Sequence, residues 1–166
     1  MDRRSFVCGS DRSLSQQDSE IIVRIAMADS EISFDLSRLD FQATSDLLKA
    51  SYWGRQRTDE INRRAFAHSI CAIALIDGRQ VGFARAAGDR AVFARISDVI
   101  VWPEHRGKGI GTALVRALLD HPEMSSVWTW MLNTSDAHGL YARFGFRPAT
   151  DGNEMRFDRP PAAVKS

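Results

Sequence analysis

The sequence predicts an α+β fold: a mixed, mostly antiparallel central sheet flanked by helices, with one βαβ crossover. Three observations predict it. Residues 70–101 are apolar runs separated by short turns, the pattern of an antiparallel meander. The last run enters a glycine-rich loop that opens directly into an amphipathic stretch of helical period. A further apolar run, 126–132, follows that helix and is expected to return parallel to the strand before it.

Residues 1–18 are polar and read as a flexible lead, and 20–27 are apolar enough for a short helix or strand. The stretch 1–29 is set apart as an N-terminal extension of a single domain over 30–158, with 159–166 as a tail. Ile32 and Phe34 alternate with polar neighbours, which predicts a first strand over 31–35. Asp40 is placed to cap a helix over 41–50, with Phe41, Leu47, Leu48 and Ser51 along one face. Tyr52-Trp53-Gly54 breaks it. The capping-box-like run Thr58-Asp59-Glu60-Ile61 starts a second helix reaching to about His68, with Ile61, Ala65 and His68 on one side.

The run 70–76 reads as a well-buried strand, and Asp77-Gly78 is a strong hairpin signal leading to a partner strand over 80–87. Gly88-Asp89-Arg90 makes the next turn, and 91–101 is the long central strand. A helix over 112–119 places Leu114, Val115, Leu118 and Leu119 inward, and His121-Pro122 ends it. Trp128 and Trp130 alternate with Val127 and Thr129 in the strand 126–132, so they share one face and read as core. A helix over 135–144 closes at Gly145, and 154–157 forms a last strand.

Composition excludes several classes. A chain of 166 residues with 44% hydrophobic and 26% charged residues is ordinary for a globular protein. A net charge of +1 gives no nucleic-acid footprint. No apolar run approaches the length that spans a bilayer, and no apolar segment follows Arg3 and Arg4 to make a secretory signal. Cys8 and Cys71 make no disulfide framework, and the histidines at 68, 105, 121 and 138 lack metal-ligand spacing. A cytoplasmic, metal-free protein with no nucleic-acid or membrane partner is the expectation.

The loop after the central strand is built for phosphate. Gly107, Gly109 and Gly111 remove side chains where a ligand must approach backbone, and Arg106 and Lys108 add positive charge. The first N–H groups of the following helix lack intrahelical partners and favour an anion. The run is not a Walker loop, and Thr112 stands where the dinucleotide fingerprint needs its third glycine. It reads R-x-x-G-x-G, as Arg106-Gly107-Lys108-Gly109-Ile110-Gly111. With residues 99–103 before it, this resembles the acyl-CoA loop of the GNAT superfamily of N-acyltransferases. Downstream, Ala137, Leu140, Tyr141, Gly145 and Phe146 match the superfamily pattern N-x-x-A-x-x-L-Y-x-x-x-G-F, with Thr134 in place of the asparagine. The resemblance covers about residues 31–157, and its GNAT-like fold agrees with the predicted order of elements.

The resemblance implies direct transfer of an acetyl group from acetyl-CoA to a primary amine of a small molecule or peptide. Arg106, Gly107, Lys108, Gly109, Ile110, Gly111 and Thr112 would receive the pyrophosphate. Val99, Ile100 and Val101 would pair with the pantetheine amides like an added strand, and Thr134 would offer its hydroxyl to one of them. Tyr141 is the implied acid that protonates the leaving thiolate; the alternative is a core aromatic with its hydroxyl on a partner. Asp98 is a carboxylate within a strand, either a proton acceptor or a structural group paired with an arginine such as Arg95. Tyr52 and Trp53 would line the acceptor pocket; the alternative is a hydrophobic corner plug. Superfamily members often form homodimers. A non-catalytic acyl-CoA-binding or sensing module is the competing reading, one that would keep the loop and lose the acid and base.

Overall fold

The structure, a computed structural model, describes residues 22–25, 30–148 and 154–158. In chain order it runs β1 (Ile22–Ile25), β2 (Ser30–Ser33), α1 (Phe41–Ala50), α2 (Asp59–Ala67), β3 (Ile70–Ile76), β4 (Arg79–Gly88) and β5 (Phe93–Val101). It continues through α3 (Ile110–Leu119), β6 (Thr129–Asn133), α4 (His138–Ala142), β7 (Arg147–Pro148) and β8 (Glu154–Asp158). The strands make one sheet in the order β1-β2-β3-β4-β5-β6-β8-β7. β5 and β6 are parallel; the other neighbours are antiparallel. This is the expected α+β architecture. Most of the expected N-terminal extension, Cys8 and the 159–166 tail lie outside the described residues, and the sheet begins at β1, within the stretch 1–29.

Local chemistry explains most boundaries. Asp77 and Gly78 both take positive φ, 50° and 74°, which turns β3 back into β4 with a two-residue loop. Asp40 accepts from the N–H of Ala43, and Thr58 from that of Ile61, so both expected caps form. β5 starts at Phe93 rather than at residue 91. The Asp89 carboxylate accepts from the N–H groups of Ala91, Val92 and Phe93, at 2.9, 2.9 and 3.0 Å, and holds them in a turn. β6 starts at Thr129, because Val127 donates to the Met124 carbonyl and Trp128 to that of Val92. The core reading of the tryptophan pair is thereby corrected: Trp130 is fully buried, whereas Trp128, outside the strand, is half exposed.

A core lies on each face of the sheet. On one, α3 buries Leu114, Val115, Leu118 and Leu119 against residues such as Ile96 and Trp130. Each such leucine contributes roughly 1.5–3 kcal/mol of burial. On the other, Leu48 of α1 and Phe66 of α2 cover Ile73 and Phe83. Of the side of α2 marked by Ile61, Ala65 and His68, only Ala65 packs against this core; Ile61 and His68 are exposed, and Asn62 and Phe66 are buried. The helix rotates because its contact with α1 is polar. Asn62 donates to the Ser45 hydroxyl at 2.9 Å, and Ser45 donates to Asp59 at 2.7 Å. Hydrogen bonds of this kind are what allow polar side chains to be buried.

Candidate active site

β5 and β6 pair through Phe93↔Thr129, Ala94↔Trp130 and Arg95↔Met131, and then part. Beyond Arg95, β5 is held by β4 alone. Its register with β4 slips there, since Phe83 faces Ile100 while Arg85 faces Ser97, leaving an extra residue on β5. Asp98 sits in that bulge with φ of 56°. A bulge of this kind bends its strand and strengthens the local twist. The two parallel strands splay, and a cavity of about 410 Å³ fills the gap. Residues 95–99 line one wall, 133–137 the other, and Tyr141, Tyr52 and Trp53 complete it.

Asp98 is buried, with its Oδ2 accepting from Arg85 Nε at 2.6 Å and paired with Arg57 Nη1 at 2.8 Å. Arg85 also donates to the Ser69 hydroxyl at 3.1 Å. Arg95, the partner named from sequence, instead reaches across the splay and donates to Asn133 Oδ1 at 2.6 Å. The partners of Asp98 come from the loop before α2 and from β4. The bulge sets which β4 residue it meets, so no sequence pattern marks the pair.

The glycine loop follows β5. Gly107 and Gly109 take φ of 75° and 82°, and a Cβ at either would meet nothing within 4 Å. Backbone conformation, not crowding within the chain, demands glycine at these two positions. Gly109 caps α3 without a side-chain hydrogen bond, and the first intrahelical bond runs from Ala113 to the Gly109 carbonyl. The N–H groups of Ile110, Gly111 and Thr112 therefore lack intrahelical acceptors, which makes an anion site of the helix start. Ile110 offers only backbone, since its side chain is in the core. Lys108 is exposed, and Arg106 is steadied by donating from Nε to the Val101 carbonyl at 3.2 Å. A Cβ at Gly111 would stand 3.8 Å from both Val101 and Leu140, so the loop adjoins the open end of β5 and the helix that carries Tyr141. Val99 and Val101 pack toward the α3 side and Ile100 toward the opposite core, leaving their backbone edge on the β6 side without a strand partner among the described residues.

Tyr141 is mostly buried, against Phe146, and lines the cavity. Burial, and secondarily the charge of Asp136, push its phenol up to about 12. The group therefore keeps its proton at neutral pH. Thr134 lines the cavity and accepts from the N–H of Ala137 at 2.9 Å, which leaves its own hydroxyl proton available. Tyr52 and Trp53 are largely exposed and meet edge to face, with ring centroids 4.8 Å apart. The Tyr52 hydroxyl is 2.6 Å from the Ser135 hydroxyl, a bond that ties the loop after α1 to the far wall of the cavity. Asn133, Ser135 and Asp136, which sequence reasoning did not single out, join the site only because β6 ends beside the splay. Among the described residues there is no group of side chains able to hold a metal ion, and no helix is long and apolar enough to cross a membrane.

Residues 67–148 match the family model described as an acetyltransferase (GNAT) domain. A Xanthomonas campestris pv. campestris crystal structure, belonging to the GNAT family, is 42% identical, covers 75% of this chain and 88% of its own, and superposes with a TM-score of 0.71. The uncharacterized N-acetyltransferase ycf52 of Porphyra purpurea is 32% identical over 102 residues, or 58% of this chain, and the match spans only 59% of that relative's length. N-acetylglutamate synthase from Neisseria gonorrhoeae, solved with coenzyme A and L-arginine, is 16% identical, with 78% of this chain and 33% of that one covered at a TM-score of 0.63. At that identity the likeness is one of fold.

Proposed function

The chain belongs to the GNAT family, and from that premise we propose that it is an N-acetyltransferase, moving an acetyl group from acetyl-CoA to a primary amine of a small molecule or peptide. The observation that carries the reading is the splay of β5 from β6 beyond Arg95 and Met131, with the Gly107–Gly109 loop at its open end and Tyr141 on its wall.

Each need of the reaction has a candidate in this chain. The N–H groups at the start of α3, with Arg106 and Lys108, suit a pyrophosphate. The unpaired edge of Val99, Ile100 and Val101 suits the amides of pantetheine, with the Thr134 hydroxyl as a further donor. A backbone N–H on that edge is also suited to the thioester oxygen as it gains charge. The amine nitrogen, once neutral, attacks the thioester carbon; the carbon–sulfur bond breaks, and the thiolate takes the Tyr141 proton. The nitrogen loses its surplus proton to water, through which Tyr141 recovers its own. Asp98 is the other candidate for receiving that proton. Its two arginine partners favour a different role, holding the bulge and the loop before α2 in place. Tyr52 and Trp53 form the acceptor wall.

The test is thiol release from acetyl-CoA against a panel of amines, with a thermal-shift titration by CoA alongside. Amine-dependent thiol release is expected. A CoA-induced shift without turnover on any small amine or peptide would favour a binding or sensing module. No shift would sink the reading of the loop. A cytoplasmic location and a homodimer belong to the same proposal, and size-exclusion chromatography tests the second.

A further inference from the structure

Alternation along β5 buries Ala94 and Ile96 on the α3 side and turns Arg95 and Ser97 to the other face. On β6, Trp130 and Leu132 are buried in the same core, so Thr129, Met131 and Asn133 share the face of Arg95. The core beneath α1 and α2 is built on β3, β4 and the end of β5 and draws no residue from β6. Arg95 is therefore a half-buried cation on the open side of the sheet, on the wall of the cavity. One nitrogen of its guanidinium donates to Asn133 Oδ1. Among the described residues no carboxylate pairs with it, because Asp98, the nearest in its own strand, is occupied by Arg57 and Arg85.

The cavity is polarised as a result. On the β5 wall Arg95 is the cation that faces the cavity, since the carboxylate of Asp98 is already paired with Arg57 and Arg85. At the opposite wall Asp136 is exposed and close enough to Tyr141 for its charge to act on the phenol. The exposed rings of Tyr52 and Trp53 line the same cavity. Such a site suits a molecule with an anionic end, an apolar or aromatic middle and a cationic or amine end. Guanidinium is the side chain best matched to a carboxylate, since its fork of donors meets both oxygens.

We infer that the acceptor is an amine that also carries a carboxylate, with the carboxylate on Arg95 and the amine directed toward the wall of Asp136 and Tyr141. This rests on the acyl-transfer reading for the role of the amine, and on Arg95 alone for the carboxylate.

The experiment compares amines that differ only in the carboxylate: phenylalanine with 2-phenylethylamine, and leucine with 3-methylbutylamine. Acetyl-CoA-dependent thiol release is expected to show kcat/KM about tenfold or more in favour of the amino acid, the size of a charge-assisted hydrogen bond. Arg95→Gln should collapse that preference and Arg95→Lys restore part of it, while both keep the CoA-induced thermal shift that reports a folded protein. Equal kcat/KM within each pair, or a preference that survives Arg95→Gln, overturns the inference. A second measurement stands apart from turnover: calorimetric titration with 3-phenylpropionate, which has no amine. Binding by the wild type that is lost in Arg95→Gln supports the carboxylate site, and no binding by the wild type overturns it. Absence of both CoA binding and thiol release would refute the acyl-transfer reading instead, and the titration would then decide the carboxylate site alone.

Discussion

The carboxylate of Asp98 holds the guanidinium of Arg57 at 2.8 Å, joining the bulge of β5 to the loop that presents Tyr52 and Trp53. Both side chains are mostly buried, with 6% and 16% of their surface exposed. Removing one member of a buried pair leaves the other charge uncompensated, a loss of about 3 kcal/mol or more. Asp98→Asn is therefore expected to lower the unfolding free energy read from urea titration by that amount and to raise the KM for the amine more than it lowers kcat. The dependence of kcat/KM on pH separates the two roles of Asp98. A positioning residue leaves the shape of the profile unchanged in Asp98→Asn, whereas loss of the acidic limb would mean that Asp98 takes the proton.

Tyr141→Phe removes the proposed acid and little volume. Turnover is expected to fall at least about 100-fold, the usual contribution of a positioned proton donor, with CoA affinity within a few-fold. An acid must carry its proton to work, and activity is lost as pH rises through its pKa. With the phenol pushed up to about 12, ionisation of Tyr141 should not depress kcat below pH 10. Turnover that is unchanged in Tyr141→Phe, or a decline near pH 8 that Tyr141→Phe abolishes, removes Tyr141 from that role.

Gly54 is the third residue of the Tyr52-Trp53-Gly54 break, and it is buried under the end of α1. A Cβ there would lie 1.9 Å from the Leu48 carbonyl oxygen, which already accepts from Ser51. Backbone cannot yield as a side chain does, so Gly54→Ala should cost at least about 2 kcal/mol by overpacking. Its displacement should also reach the two aromatic residues beside it. Chemical denaturation checks the first effect, and a raised amine KM with unchanged CoA affinity checks the second. A variant of wild-type stability would show that the loop can shift without cost.

The parts of this site that were legible in the sequence are those that local rules determine. The glycine loop was readable because Gly107 and Gly109 and the helix after them encode their own conformation within a few residues. The meander was readable from alternation and from Asp77-Gly78. The pairing of Asp98 with Arg57 and Arg85 was not, since it depends on a bulge that no residue type announces and on a loop far away in the chain. The buried side of α2 was missed for a related reason: Asn62 comes inside with its amide nitrogen on the Ser45 hydroxyl, a partner supplied by α1 and not by the period of α2 itself. Trp128 and Trp130 looked equivalent by period, but the N–H groups of Trp128 and Thr129 both turn to the Val92 carbonyl and Trp128 falls outside the strand.

Cys71 and Tyr141 predict how the fold responds to alkali. Cys71 lies on β3 beneath α2, and burial pushes its thiol from 9.0 up to about 12; Arg85 opposes this and Asp98 adds to it. In the unfolded chain the thiol ionises near its ordinary value, so above pH 9 the unfolded state sheds protons that the folded state retains. The stability that Cys71 contributes is complete below pH 9 and is lost as pH rises toward 12. The slope from one group is at most about 1.4 kcal/mol per pH unit. Tyr141 adds a second slope of the same sign between 10 and 12. Urea midpoints should therefore be flat in this respect up to pH 9, fall above it, and fall more steeply above 10. Cys71→Ala should remove the onset at 9, and Tyr141→Phe the steepening at 10. In the folded protein the Cys71 thiol should also resist iodoacetamide at pH 8, as read on its own tryptic peptide so that Cys8 does not contribute. Rapid alkylation there, or midpoints in the two variants parallel to the wild type, would mean that neither group is held protonated by its surroundings.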